Sequence, residues 1–206
     1  MSITRAKTSS VAQGPSTKKT LLGGNDVILG GSYDYIDHTV VGSGGASSIT
    51  FTSIPSTYKH LQIRFMARDT STYAVGCNDF AFRFNGDTGS NYSWHRLFGD
   101  GTTAASNGYA SQNYGASVLG IIPGDLNTAG AYGAGFIDIL DYANTSKYKT
   151  IRLLGGTDDN SGSSSRSRLT LTSNAWLSTS AITSIECYLP SSTMKQYSHV
   201  ALYGIK

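Results

Sequence analysis

Asp and Asn residues recur in glycine-rich segments of this chain, and carboxylate and amide oxygens are groups that Ca²⁺ takes as ligands. These segments are Asn25-Asp26, Asn85-Gly86-Asp87, Asp100 and Asp158-Asp159-Asn160. None of them spaces its acids as an EF-hand loop does, and Asp and Asn favour turns for backbone reasons alone. We therefore expect these residues to cap turns, with a bound Ca²⁺ as the alternative, and we expect no other cofactor.

Side chains that could perform catalysis are scattered along the chain. The histidines, His38, His60, His95 and His199, never stand at the spacing of a metal-binding pair. The sequence has no G-x-S-x-G motif, and its glycine-rich segments lack the lysine and following helix of a phosphate-binding loop. Thirteen acids do not exclude the two facing carboxylates of a glycosidase, but no pattern supports them. We interpret the chain as non-enzymatic, without catalytic, metal-binding or cofactor-binding residues.

The two cysteines, Cys77 and Cys187, each lie in or beside a strand-like run of residues. We expect both to be free thiols that pack as small apolar side chains, with a disulfide as the alternative.

The first 30 residues differ from the rest of the chain in charge and pattern. Four basic residues and no acid fall within the first 20 positions, and because the net charge of the whole chain is +3, residues 21–206 carry −1. Two short apolar islands follow, each before a Gly-Gly pair. We predict an anchoring arm over residues 1–30, with a disordered leader as the alternative, and its candidate partner-binding residues are Arg5, Lys7, Lys18, Lys19, Leu21, Leu22, Val27, Ile28 and Leu29.

We expect the arm to bind a protein and not a nucleic acid. Four positive charges without interleaved aromatic residues are a weak signal of nucleic-acid binding, and an acidic protein surface is an equally good partner for them.

A second candidate for a contact surface is the run Tyr92-Ser93-Trp94-His95-Arg96, because aromatic residues and Arg together are typical of contact surfaces. Tyr92 and Trp94 are the candidate surface-contact aromatics, with a core position for Trp94 as the alternative.

The body of the chain is organised around the stretch from Ser48 to Asp69. Apolar and polar residues alternate in two runs of this stretch, a period of two that predicts strands with one buried face. The predicted buried residues are Ile49, Phe51, Leu61, Ile63, Phe65 and Ala67. Pro55 lies between the runs and ends the first strand, because proline has no N–H group for a sheet. Two such strands require a second layer.

The remaining sequence supplies that layer as further short strands separated by turn signals. Twenty-four glycines and 14% charged residues argue against a helical protein, and nothing alternates as a βαβ unit does. We predict ten or eleven strands in an antiparallel two-layer β-sandwich of jelly-roll type over residues 31–206, with an extended N-terminal arm. No apolar run reaches the length of a membrane span, and the N-terminus lacks a secretory signal, so we expect synthesis in a cytoplasm.

Four blocks of this sequence resemble a family of tailed-bacteriophage virion proteins, found in phages and prophages of aquatic bacteria. The blocks are V-G-S-G-G-A-S-S-I-T-F-T-S-I-P-S-T-Y-K-H-L-Q-I-R, F-R-F-N-G-D-T-G-S-N-Y-S-W-H-R-L-F-G-D-G, A-W-L-S-T-S-A-I-T-S-I and the final A-L-Y-G-I-K. The resemblance covers residues 33–206 and carries no catalytic motif. It implies a virion location and contacts with other virion proteins, with capsid and tail both open.

From this resemblance and the arm we expect a capsid decoration or appendage protein, made in the bacterial host and assembled as a homo-oligomer, a trimer. The alternative is a tail-fibre or receptor-binding module that recognises host surface glycan through Tyr and Trp side chains.

Overall fold

The computed structural model describes residues 18–20, 26–28, 32–72, 77–116, 121–160 and 166–206. These ranges contain strands and connecting loops, and no helix within them is long and apolar enough to cross a membrane. The strands are β1 (Lys18–Thr20), β2 (Asp26–Ile28), β3 (Tyr33–Val40), β4 (Ser48–Phe51), β5 (His60–Ala67), β6 (Cys77–Asn78), β7 (Ala81–Phe84), β8 (Tyr92–Gly99), β9 (Ala104–Gln112), β10 (Gly115–Ala116), β11 (Ile122–Pro123), β12 (Gly133–Leu140), β13 (Lys149–Thr157), β14 (Arg168–Trp176), β15 (Ile185–Tyr188) and β16 (His199–Ile205).

Two sheets of unequal width form the sandwich. The wide sheet has eight strands in the order β3-β16-β5-β12-β13-β14-β8-β9, and the narrow sheet has four in the order β10-β7-β15-β4. All their pairings are antiparallel. The chain crosses between the sheets several times, for example from β7 to β8 and from β15 to β16. The predicted antiparallel two-layer β-sandwich is confirmed.

The stretch from Ser48 to Asp69 forms two strands, as predicted. The six predicted inward residues are all buried, which confirms the register of both strands. However, β4 and β5 do not pair with each other: β4 pairs with β15 in the narrow sheet, whereas β5 lies between β16 and β12 in the wide one. The segment around Pro55 therefore carries the chain from one layer to the other, and the two strands contribute to opposite sides of the same core.

The narrow sheet packs aromatic side chains onto the wide sheet. Phe80, Phe82 and Phe84 are fully buried, as their alternation with Ala81 and Arg83 predicts. Phe80 stacks on Phe65 of the wide sheet with ring centroids 4.0 Å apart. The turn after β7 uses Asn85 and Gly86, which both have positive φ, 53° and 69°. This is the Asn-Gly turn that the sequence predicts, because these two residue types tolerate that backbone conformation.

The structure differs from the sequence prediction in the number of strands. The described residues form sixteen strands, because very short segments such as the two-residue strands β6, β10 and β11 also take part in strand pairing. The strand β9, of sequence AASNGYASQ, begins at Ala104 and consists mostly of small and polar residues. Small polar residues have little intrinsic strand propensity, so the pairing of β9 with β8 determines its conformation.

The N-terminal arm is described only in part. Strands β1 and β2 pair antiparallel, with Lys18 opposite Ile28 and Lys19 opposite Val27, and they form a separate two-stranded sheet. The other candidate residues of the arm, Arg5, Lys7, Leu21, Leu22 and Leu29, lie outside the described residues.

Candidate interaction surface

The outer face of the wide sheet carries a row of large apolar side chains on four adjacent strands. Strand pairing places Phe136 of β12 opposite Leu154 of β13, Leu154 opposite Leu171 of β14, and Leu171 opposite Leu97 of β8. Leu169 lies two residues from Leu171 and therefore on the same face. We call these five residues the leucine band.

The leucine band is open to solvent. Leu97 is 57% exposed, Leu169 60%, Leu171 50% and Phe136 36%. A single exposed leucine is ordinary on a protein surface, but a contiguous apolar patch is typical of an interaction site. On β13 the outward Leu154 follows the inward Leu153, so this strand has apolar residues on both faces.

A group of aromatic and basic side chains lies beside the leucine band, on the side of the edge strand β3. The guanidinium of Arg64 lies 5.1 Å from the ring centroid of Tyr33 and 5.0 Å from that of Tyr203. Tyr35 contacts Tyr203 edge to face and forms a 2.7 Å hydrogen bond with His38 Nδ1. Tyr33 is 45% exposed and Tyr35 54%. We call Tyr33, Tyr35, His38, Arg64 and Tyr203 the tyrosine cluster.

Polar side chains fix the position of Arg64. Its Nε donates a 2.7 Å hydrogen bond to Gln62 Oε1, and Gln62 Nε2 donates a 2.8 Å bond to Asp138 Oδ1. The chain of bonds orients the guanidinium, so little side-chain entropy is lost when a partner covers it.

A shallow groove separates the tyrosine cluster from the leucine band. It has a volume of about 790 Å³, and its lining includes Ala134, with a single methyl group, and Gly156, with no side chain, between larger neighbours. Towards β8 it adjoins a second depression of about 490 Å³ that Asp100, Asp158 and Tyr132 line. The two depressions share Ala134, Gly156 and Leu169.

Asp100 and Asp158 accept backbone hydrogen bonds within their turns, whereas Asp159 Oδ2 accepts bonds from Asn127 Nδ2 and the N–H of Thr128 in another loop. Asp100 Oδ1 accepts bonds from the N–H groups of Thr102 and Thr103, and these bonds hold its pKa below the usual value. Asp158 Oδ1 accepts a 2.8 Å bond from the N–H of Asn160. No group of three or more His, Cys, Asp or Glu side chains that could hold a metal ion occurs among the described residues.

Asp87 also has a hydrogen-bond partner outside its own turn. Its Oδ2 accepts a 2.7 Å hydrogen bond from Trp176 Nε1, and its Oδ1 accepts a bond from the N–H of Gly89. Partial burial alone would raise the pKa of this carboxyl, but the bonds from Trp176, Asn91 and Gly89 outweigh it and lower the pKa. Asp87 thereby joins the turn after β7 to the end of β14.

Tyr92 and Trp94 are buried, which corrects the prediction of surface contact and confirms the core alternative for Trp94. Tyr92 is 0% exposed and Trp94 4%. Both lie on the inward face of β8, where the Tyr92 hydroxyl accepts a 3.0 Å bond from the N–H of Phe84 and the Trp94 ring packs 4.8 Å from that of Tyr109. Alternation along the strand instead exposes His95 and Leu97.

The sequence analysis did not identify the buried arginines. Arg96 lies on the inward face of β8, 5.3 Å from the Trp94 ring and 5.0 Å from the Phe98 ring, and burial lowers its pKa. Arg68 follows β5 and donates hydrogen bonds to the carbonyl groups of Asn127, Thr128 and Ala131. The loop of residues 127–131 covers Arg68, which is almost fully buried.

Cys187 is a free thiol buried between the sheets, and burial raises its pKa. The side chain of Cys77 lies outside the described part of the chain.

No family model, no curated protein and no solved structure matches this chain.

Proposed function

We propose that this chain is a non-enzymatic structural protein of a bacteriophage particle, a capsid decoration or appendage protein that docks through its N-terminal arm. The observation that carries the proposal is the leucine band, together with the adjacent tyrosine cluster. Tyr and Arg are the residue types that contribute most to protein–protein binding energy, and here they border an exposed apolar patch. A molecule with this surface functions by binding another protein surface.

The phage context of the proposal comes from the four sequence blocks that resemble virion proteins. Block two runs along β7 and β8 and ends at Gly101 beside the second depression, and the last block is the end of β16, which contributes Tyr203 to the tyrosine cluster. The resemblance therefore includes residues of the candidate surface as well as of the core. We propose assembly as a homo-oligomer, a trimer, with other virion proteins as partners.

Deletion of residues 1–30 tests the attachment step. Among the residues that the structure describes, the members of the hydrophobic core lie between Val41 and Leu202, so we expect the truncated protein to remain soluble and folded. Without the arm it is expected to be absent from purified particles, as measured by quantitative mass spectrometry. Incorporation of the truncated protein at the normal copy number would contradict docking through the arm. Immunogold labelling of the full-length protein then distinguishes the head from the tail.

The tyrosine cluster favours a second candidate function, recognition of a host surface glycan. Exposed tyrosine rings beside Gln62, Asp138 and Arg64 combine a flat apolar face with hydrogen-bonding groups, which suits a sugar ring. A glycan array with the purified protein tests this candidate. Binding that Tyr35→Ala abolishes, and that Tyr197→Ala at an exposed site elsewhere leaves unchanged, would support it. Equal binding by both variants would reject it.

A further inference from the structure

We propose that a pocket over the strand pair β3–β16 binds an acidic sugar, with the sugar ring on tyrosine and its carboxylate on histidine and arginine. This inference rests on the second candidate function, recognition of a host glycan, and deepens it. It adds the chemical class of the glycan, a hexuronic acid, and the side chains that select an acidic sugar over a neutral one.

The pocket has a volume of about 430 Å³ and lies on the outer face of the wide sheet, at its β3 edge. Pockets that hold small molecules have volumes of about 300–1,000 Å³, so one sugar residue fits. We call it the Ala201 pocket, and its lining residues are Tyr35, His38 and Val40 of β3 and His199, Ala201 and Tyr203 of β16.

Ala201 is the small residue at the centre of the pocket. Strand pairing places it opposite His38 on one side and opposite Arg64 of β5 on the other. His199 and Tyr203 lie two residues before and after it, and therefore on the same face. The guanidinium of Arg64 is 5.0 Å from the centroid of the Tyr203 ring, so it borders the pocket. Three side chains with N–H groups thus surround a single methyl group.

The nitrogen groups around Ala201 are placed to bind a ligand. Nδ1 of His38 shares a 2.7 Å hydrogen bond with the Tyr35 hydroxyl, and this leaves Nε2 for a ligand. Nε of Arg64 donates a hydrogen bond to Gln62, which fixes the guanidinium at an exposed site. Arginine and histidine both donate hydrogen bonds, and those from arginine to a carboxylate are among the strongest in proteins. A carboxylate is therefore the group that these side chains bind best.

Acidic side chains are turned away from the pocket. No Asp or Glu is among the described residues that line it. On β3, Asp34 forms an ion pair with Lys206, and Asp37 pairs with Leu202, whose side chain faces the core. Asp138 lies on β12, two strands from β16, and accepts a side-chain hydrogen bond there. An anionic ligand over Ala201 therefore meets donors and no carboxylate at close range, which favours it over a neutral ligand.

Tyrosine rings supply the apolar surface for the sugar ring. Tyr35 and Tyr203 meet edge to face with ring centroids 6.2 Å apart, and Tyr35 is 54% exposed. Ala201 lies two residues from Tyr203, about 6.6 Å along the strand. The carboxyl group of a hexuronic acid is attached directly to its ring, so a ring on Tyr203 places the carboxylate over Ala201. Apolar and polar contacts together hold such a ligand in one orientation.

NMR titration of the ¹⁵N-labelled full-length protein with trigalacturonic acid tests the inference. The matched neutral ligand is the same trisaccharide with its carboxyl groups converted to methyl esters. We expect the acid to shift the amide signals of the residues that line the Ala201 pocket. We also expect the acid to bind at least about tenfold more tightly than the ester, because the ester lacks the charge-assisted hydrogen bonds.

Two arginine variants make the test specific to the Ala201 pocket. Arg64→Gln removes the guanidinium at the border of the pocket and should weaken binding of the acid at least about tenfold. Arg83→Gln changes an arginine of the narrow sheet that likewise lies over a tyrosine ring, 4.5 Å from the centroid of Tyr188, but has no such pocket beside it. This control should leave binding unchanged. The amide spectrum of each variant verifies that it is folded.

Each contrary result has its own consequence. Equal binding of the acid and the ester would overturn selection of an acidic sugar and would leave glycan recognition as the second candidate function. An acid that does not bind at millimolar concentration, or that binds equally well to Arg64→Gln, would overturn the Ala201 pocket as its site. The structural role in the particle is independent of these results, because its own test is incorporation into particles.

Discussion

Individual residues in this protein gain their roles from partners far away in sequence. Asp87 belongs to a glycine-rich turn, yet its shortest hydrogen bond comes from the indole of Trp176, which is almost fully buried. Arg96 lies in an aromatic run typical of contact surfaces, but it is buried between Trp94 and Phe98. In both cases the residue type predicts the kind of interaction, and the fold determines the partner.

The bond between Asp87 and Trp176 makes stability depend on pH. Because the folded-state pKa of Asp87 lies below its ordinary value of 3.8, the stabilisation is complete above about pH 4 and is lost as the pH falls through the folded-state pKa. Asp87→Asn should lower the free energy of unfolding at neutral pH by about 1–2 kcal/mol, as loss of a charge-assisted bond does. It should also reduce the loss of stability below about pH 4.

Urea unfolding at neutral and acid pH, followed by tryptophan fluorescence, measures both effects. Asp37→Asn on the exposed edge strand is the matched control, and it should change neither. A variant of Asp87 that keeps the acid sensitivity of the wild type would show that other carboxyls cause it.

Cys187 should be unreactive in the folded protein. Its thiol is fully buried and burial raises its pKa, so little thiolate is present or accessible to a reagent. In a Cys77→Ser variant, we expect labelling by a thiol reagent only after denaturation. A reducing agent should leave the melting temperature of the wild type unchanged. A drop of several degrees on reduction would instead reveal a disulfide.

At the scale of the strand, alternation decides which side chains enter the core. β5 shows this clearly, because Phe65 stacks on Phe80 between the sheets while Arg64, one residue before it, lies on the outer face within the tyrosine cluster. A shift of one residue would exchange the two faces. The structure confirms the register that the sequence predicts.

A pair of substitutions in β5 measures the difference between its faces. Phe65→Asp buries an unpaired charge and should cost several kcal/mol, comparable to the whole stability of a marginal domain. Arg64→Asp removes two cation–π contacts from an exposed site and should cost about 1 kcal/mol. Chemical denaturation of both purified variants checks the prediction. Greater destabilisation by Arg64→Asp than by Phe65→Asp would contradict the assignment of the faces.

At the scale of the whole molecule, the two sheets differ in width, and this has a functional consequence. Four strands cover the inner face of an eight-stranded sheet, and the outer face of that wide sheet presents the leucine band and the tyrosine cluster. A face of this size with apolar and aromatic side chains is suited to lateral contacts between copies.

Circular dichroism of the purified protein should give the spectrum of a β protein. The described residues contain no helix, so we expect the far-ultraviolet spectrum to show the single minimum of β-sheet and not the double minimum of α-helix. A helical content above about a quarter of the residues, close to the average for globular proteins, would contradict the architecture.

The sequence by itself determined the fold class, the register of β4, β5 and β7, and the Asn85-Gly86 turn. These features depend on local chemistry, because the period of two and the turn preference of Asn-Gly act over a few residues. Tertiary structure decided that β4 and β5 belong to opposite sheets, that β9 is a strand, and that Tyr92 and Trp94 are buried. It also assembled the leucine band from Leu97, Phe136, Leu154, Leu169 and Leu171. Those residues are far apart in the chain, and only long-range strand pairing brings them onto one face.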